Sequence, residues 1–324
     1  MENPYIIPII VVAAIIAVWA LRLGGIMSTR DQQVSPVGFI DIAATVFVWF
    51  FLQMFGLAIV PFCVGITLAE LQDIENLSAE KMLEFTGYLM LLQLLATAVA
   101  ATFFLLRHRS VEWLGTRRSL AADIRIGILA SLLLLPIVMM IQSVVTTLIP
   151  YEHPTIDSLM ENFSGKTAIW AWIAAVGVAP LTEEFFFRGV IQGCLQRVFD
   201  HSESRETWLV GGPVVAGTAR ELSGETPLQR WTRFWAPILI TSVAFAGVHF
   251  GQGPAPIPLF FLSIGIGYIF RKTGSFVPCV VIHLLLNSIS MGMLTIGMLY
   301  PDLMPTEPEP AAAFSSFWSW LQLC

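Results

Sequence analysis

Residues 181–190 read Leu-Thr-Glu-Glu-Phe-Phe-Phe-Arg-Gly-Val, which places two adjacent carboxylates, Glu183 and Glu184, and the guanidinium of Arg188 in an otherwise apolar run. Ionisable groups at the centre of a bilayer-spanning helix cost roughly 2.5 to 3.5 kcal/mol each, so they face protein or water and mark function by default. Residues four apart share a helix face, and Glu184 stands over Arg188 in the favourable order, acid before base, so the two are expected to pair. Glu183 points about 100° away around the helix. It is left without this local partner, as a carboxylate free for chemistry. The competing reading is a buried Glu–Arg network that only fixes helix packing.

Two other apolar runs carry polar groups. Phe245-Ala-Gly-Val-His249 closes one with an imidazole, and His283-Leu-Leu-Leu-Asn287 sets an imidazole and a carboxamide four apart on another. Singly, each reads as a packing or interfacial histidine or as an interhelical hydrogen-bond clamp. Together they form the parts of a hydrolase that uses water as nucleophile. A carboxylate drawn out of bulk solvent suits a general base, so Glu183 would take a proton from water, with His249 holding or helping to deprotonate it. His283 and Asn287 would then donate to the oxyanion on a scissile carbonyl. No serine elbow is present, and the four cysteines, Cys63, Cys194, Cys279 and Cys324, have neither a CxxC pair nor a catalytic partner, so acyl-enzyme chemistry is unsupported. Two histidines and a glutamate could also hold zinc with one position open to water. There is no HExxH, and the expectation is that no cofactor or metal is required.

The elements that must position these groups are membrane helices. Of 324 residues 56% are hydrophobic and 12% charged, and the mean hydropathy is +0.75, outside the balance of a soluble domain. The net charge of −6 is spread over short connections without a basic stripe, which excludes nucleic acid as a partner. A span takes about 20 apolar residues, and eight runs qualify or nearly so: 5–23, 39–68, 85–106, 124–149, 167–196, 235–250, 257–270 and 276–299. The fold class is therefore all-α, a polytopic membrane helix bundle of about eight transmembrane helices. Between the sixth and seventh runs, Gly251, Gly253, Pro254, Pro256 and Pro258 require a tight turn. Basic residues fall in alternate connections: Arg22 and Arg30; Arg107 to Arg118; Arg197 to Arg233; Arg271 and Lys272. The positive-inside rule then puts both termini on the non-cytoplasmic side, in the plasma membrane if the cell is bacterial.

The ordered motifs EExxxR (Glu183, Glu184, Arg188), FxxxH (Phe245, His249) and HxxxN (His283, Asn287) resemble those of the CAAX protease and bacteriocin-processing family of intramembrane glutamic endopeptidases. That family includes the type II CAAX prenyl endopeptidases. The likeness covers about 167–291. It implies that Glu183 and His249 activate the water, that Glu184 and Arg188 support the site, and that His283 and Asn287 form the oxyanion hole, with no covalent intermediate and no metal. It implies as substrate a membrane-associated peptide, lipidated or hydrophobic, of the prenylated CAAX type in one branch of the family.

The chain divides on this reading into an N-terminal transmembrane region, 1–121, of unassigned role; a catalytic membrane core, 122–300, with a polar cytoplasmic loop at 201–233; and a tail, 301–324, with an interfacial helix. The first run is expected to stay as a span, and the final Leu-Gln-Leu-Cys is not a prenylation signal. Membrane lipids and a lipidated or hydrophobic protein substrate are the expected partners. Two other functions use the same residues: a proton-coupled transporter with a buried relay, and a non-proteolytic scaffold or bacteriocin-immunity protein.

Overall fold

The computed structural model describes residues 35–72, 77–108, 119–149, 164–201, 204–212 and 224–300. Its helices are α1 (Phe39–Val64), α2 (Leu68–Gln72), α3 (Ala79–His108), α4 (Leu120–Leu148), α5 (Gly165–Asp200), α6 (Arg205–Val210), α7 (Pro227–Val248), α8 (Pro256–Thr273) and α9 (Val277–Leu299), with no strand among the described residues. The fold is all-α, as the apolar runs require. Seven of the eight expected runs correspond to α1, α3, α4, α5, α7, α8 and α9. The first run, 5–23, and the expected interfacial helix of the tail lie outside the described residues.

Six helices, all of these but α8, are long and apolar enough to cross a membrane. Their outward faces carry large apolar side chains, such as Phe47 and Phe62 of α1 at 66% and 71% exposure. A surface of this kind is stable only against lipid or another protein. The molecule is an integral membrane protein.

One boundary differs from expectation. The sixth span begins at Pro227, not near residue 235, so part of the polar stretch 201–233 is helix. The cause is local: Thr226 and Gln229 form a capping box, with Thr226 Oγ1 accepting from Gln229 N and Gln229 Oε1 accepting from Thr226 N, and Pro227 fills the first helical position, where its missing N–H costs nothing. A second short helix, α6, lies in the same stretch behind a Ser204 cap. At the other end of the pair, α8 stops at Gly274, whose φ of 62° is the left-handed cap conformation that glycine adopts without a Cβ penalty.

Charged residues from three connections gather at one end of the bundle. Arg271 of α8 grips Asp200 with both terminal nitrogens, at 2.6 and 2.8 Å, and Arg233 approaches the same carboxylate. Arg197 donates to Ser35 O and Gly212 O, and Arg107 to Val210 O. The basic connections after α3, between α5 and α7 and after α8 therefore share one end of the described bundle. At the opposite end, Lys166 pairs with Glu80 and Glu84, and Lys81 with Glu70.

Two apolar clusters hold the helices between these ends. One joins Leu135 and Val138 of α4 to Leu262 and Ile266 of α8 and Ile282 and Leu286 of α9. The other joins Phe104 of α3 to Phe185, Phe187 and Val190 of α5 and Phe245 of α7. The polar groups of α5, α7, α8 and α9 meet between them.

Candidate active site

The middle of α5 is not regular. It runs as α-helix to Trp172, widens to a π-helix over Ile173–Val178, returns to α over Ala179–Glu184, widens again over Phe185–Gln192 and ends as α. Pro180 accounts for the first widening: it has no N–H to give and its ring would strike the carbonyl four residues back, so the turn before it opens. Ala179 N accordingly bonds to Ala174 O, five residues earlier. Such π segments within α-helices are frequent at functional sites. Here the two flank the short α turn that carries both glutamates.

Glu184 and Arg188 pair as their spacing predicts. Arg188 Nε donates to Glu184 Oε2 at 2.8 Å, and both side chains are 0% exposed. The other carboxylate oxygen, Oε1, accepts from His283 Nδ1 of α9 at 2.9 Å. Arg188 Nη2 donates to Ser263 Oγ of α8 at 2.8 Å, and its guanidinium lies over the ring of Phe245 at 5.6 Å. Three helices besides α5 thus close on this one carboxylate and guanidinium.

Glu183 turns the other way and faces His249. Its Oε2 lies 4.0 Å from His249 Nε2, with the two side chains 19% and 16% exposed. That separation is too long for a direct hydrogen bond. His249 Nδ1 is 2.8 Å from the carbonyl oxygen of Phe245. A carbonyl only accepts, so Nδ1 carries the proton and the Nε2 of a neutral ring offers a lone pair. Two acceptors 4.0 Å apart are spaced to share the two hydrogens of one water molecule.

Phe245 is the hinge between the two halves: its ring centre is 5.0 Å from that of His249 and 5.9 Å from that of His283. Glu183, Glu184, Arg188, Phe245, His249 and His283 are therefore one cluster, as expected. Asn287 is placed differently. Its Nδ2 donates to Ala175 O at 2.7 Å, within the first π segment, so one of its two amide hydrogens serves as an interhelical clamp. His249 sits at the end of 22 helical residues, roughly 33 Å, opposite the midpoint of the 36-residue α5.

Ser263 and Gln192 belong to this cluster and sequence reasoning missed both. Gln192 Nε2 donates to Gly267 O at 2.8 Å. The signal for Gln192 was available, a lone amide four residues after Arg188 in an apolar stretch; a single serine in α8 carries none. As for a metal, no grouping of three or more His, Cys, Asp or Glu side chains suited to one occurs among the described residues.

The motif order and this geometry lead to one comparison. Residues 165–289 match the Rce1-like family of type II CAAX prenyl endopeptidases. The match begins at the first residue of α5 and ends two residues past Asn287, so all seven site residues fall inside it. It bears out the resemblance carried by the three motifs. No curated protein and no solved structure matches the chain. The Rce1-like segment holds α5 to most of α9, while α1 and α3 lie outside it.

Proposed function

We propose that the protein is an intramembrane glutamate-dependent endopeptidase that hydrolyses a peptide bond with a water molecule activated by Glu183 and His249. The observation that carries this reading is the 4.0 Å approach of Glu183 Oε2 to His249 Nε2, with the far nitrogen of the ring tied to Phe245 O. The match of 165–289 to a family of prenyl endopeptidases supports it.

In the first step the water oxygen bonds to the scissile carbonyl carbon, and its proton passes to Glu183 or to His249 Nε2. The carbonyl electron pair moves to oxygen, and the second N–H of Asn287 and the Nε2 of His283 are the donors assigned to it. Donation from His283 Nε2 requires both ring nitrogens to carry protons, because Nδ1 already donates to Glu184. In the second step the C–N bond breaks and the proton taken from water goes to the departing amine. No covalent enzyme intermediate and no metal enter these steps.

The substrate on this reading is a membrane-associated peptide, lipidated or hydrophobic, with a prenylated CAAX-type end as the first case to try. The connections bearing Arg107, Arg197, Arg233 and Arg271 face the cytoplasm, which sets both termini on the other side.

The test is cleavage of a farnesylated CAAX peptide by the purified protein in detergent, read by mass spectrometry. Glu183→Gln and His249→Ala each lower turnover by about 10²- to 10⁴-fold, while the fold is kept. Full cleavage by both variants would overturn the assignment. A wild-type protein that cleaves neither this peptide nor any membrane protein would return the site to a proton relay or a scaffold.

A further inference from the structure

Arg188 is held from directions that the three motifs do not name. Ser263 Oγ accepts from Arg188 Nη2 at 2.8 Å, and one helical turn further along both helices Gln192 Nε2 donates to Gly267 O at 2.8 Å. The two contacts are matched rungs between α5 and α8, which run in the same direction at this point. Arg188, Gln192 and Ser263 are each 0% exposed. Gln192 Oε1 and Arg188 Nη1 are both buried without a hydrogen-bond partner among the described residues, and they lie 3.0 and 3.6 Å from the point where a Cβ on Gly267 would sit, so both border the space that this glycine leaves open. A Cβ at 267 would press on the Gln192 amide oxygen.

A hydroxyl and a carboxamide at these depths are hard to explain by packing. Burying a polar group is unfavourable unless it is hydrogen-bonded, and alanine or leucine would fill the space without that cost. What these side chains supply is direction. The guanidinium is a planar fork, so fixing Nη2 at Ser263 constrains how Nε presents to Glu184, while Gln192, anchored to Gly267 O, walls the space beside Nη1. Glu184 in turn receives the Nδ1–H of His283, and that bond fixes the orientation of the whole ring.

We propose that Ser263 and Gln192 are positioning residues that hold Arg188, and through Arg188 and Glu184 set the orientation of His283. The catalytic consequence rests on the peptidase reading above; the orientation of His283 does not.

The experiment uses the full-length protein in detergent, labelled with ¹⁵N-histidine, and measures peptide cleavage together with the ring nitrogen resonances of His283, assigned by comparison with His283→Ala. Ser263→Ala and Gln192→Leu shift the His283 Nδ1 resonance. A misplacement of the order of 1 Å carries about a 100-fold loss of rate, so kcat falls by about 10- to 100-fold in Ser263→Ala while KM changes little. Ser263→Thr, which keeps the hydroxyl, restores both readouts. Ser131→Ala is the control: that serine is equally buried, but its hydroxyl bonds to Gly127 O of its own helix, and the variant leaves both readouts at the wild-type value. An unmoved His283 resonance in Ser263→Ala and Gln192→Leu overturns the proposal, as does a loss of kcat that Ser263→Thr fails to restore. A wild-type protein without cleavage defeats the peptidase reading alone, because the His283 resonance still decides the positioning roles.

Discussion

Asn287 donates from Nδ2 to the carbonyl oxygen of Ala175 at 2.7 Å, joining α9 to the first widened turn of α5. This contact ties the second half of the HxxxN motif to the segment that precedes the two glutamates; one amide hydrogen braces the turn, and on the proposed reading the other would serve an oxyanion. Asn287→Ala is expected to affect two measurements. Loss of one intramolecular hydrogen bond lowers stability by about 1 kcal/mol, seen as a lower denaturation midpoint in detergent. Loss of an oxyanion donor lowers kcat by about 10²- to 10³-fold. A fall in stability with wild-type kcat would leave only the brace.

The Glu184–Arg188 pair invites a double-mutant cycle. Both side chains are 0% exposed, and neither has water to turn to if its partner is lost. Breaking a buried pair from one side costs about 3 to 5 kcal/mol, because the remaining charge is stranded. Glu184→Gln and Arg188→Met should each be strongly destabilising, and the double variant should be more stable than either. His283 sharpens the asymmetry: Glu184→Gln also removes the charge that accepts from its Nδ1. Additive losses across the cycle would show that the pair is not coupled.

Much of this cluster could be read from residue spacing. The i, i+4 rule paired Glu184 with Arg188 and sent Glu183 elsewhere, and the three polar motifs on separate apolar runs were enough to predict their meeting. Spacing failed where regular helix geometry failed. The π segments at Ile173–Val178 and Phe185–Gln192 shift every later residue around the axis, so a uniform 100° rotation cannot show that Asn287 meets Ala175 or that Gln192 lies beside Gly267. The start of α7 was misplaced for a different reason: hydropathy weighs Gln229, Arg230 and Arg233 as loop, whereas Thr226, Pro227 and Gln229 fix a helix start by capping. Ser263 left no trace in the sequence, because its significance lies wholly in the guanidinium across the helix interface.

Chelation separates glutamate chemistry from zinc chemistry at this site. Glu184 already gives one oxygen to Arg188 and the other to His283, and His283 Nδ1 is occupied by the same contact. A zinc ion beside Glu183 would have to draw on His249 and on groups now engaged in these bonds. Cleavage is therefore expected to persist after prolonged treatment with a strong chelator and to gain nothing from added zinc. Activity lost on chelation and restored by stoichiometric zinc would replace the water-activation scheme with a metal-bound hydroxide.

Phe245 contributes through its ring and through its carbonyl, and substitution can separate the two. The ring is fully buried and packs against His249, His283 and Phe187, with centroid distances of 5.0, 5.9 and 5.0 Å, while the carbonyl oxygen holds His249 Nδ1. Phe245→Leu keeps the carbonyl and a similar volume but removes the aromatic face. Aromatic contacts of this kind are worth about 0.5 to 1.5 kcal/mol each beyond area burial, and both imidazoles would gain freedom to tilt. The expected outcome is a modest loss of stability with a larger loss of kcat, about 10-fold or more for displacements below 1 Å. Phe245→Ala adds a cavity and costs about 3 to 5 kcal/mol, so it should fail chiefly by unfolding. Thermal denaturation and turnover measured on the same samples distinguish these cases: a leucine variant with wild-type kcat would mean that the carbonyl alone sets the position of His249.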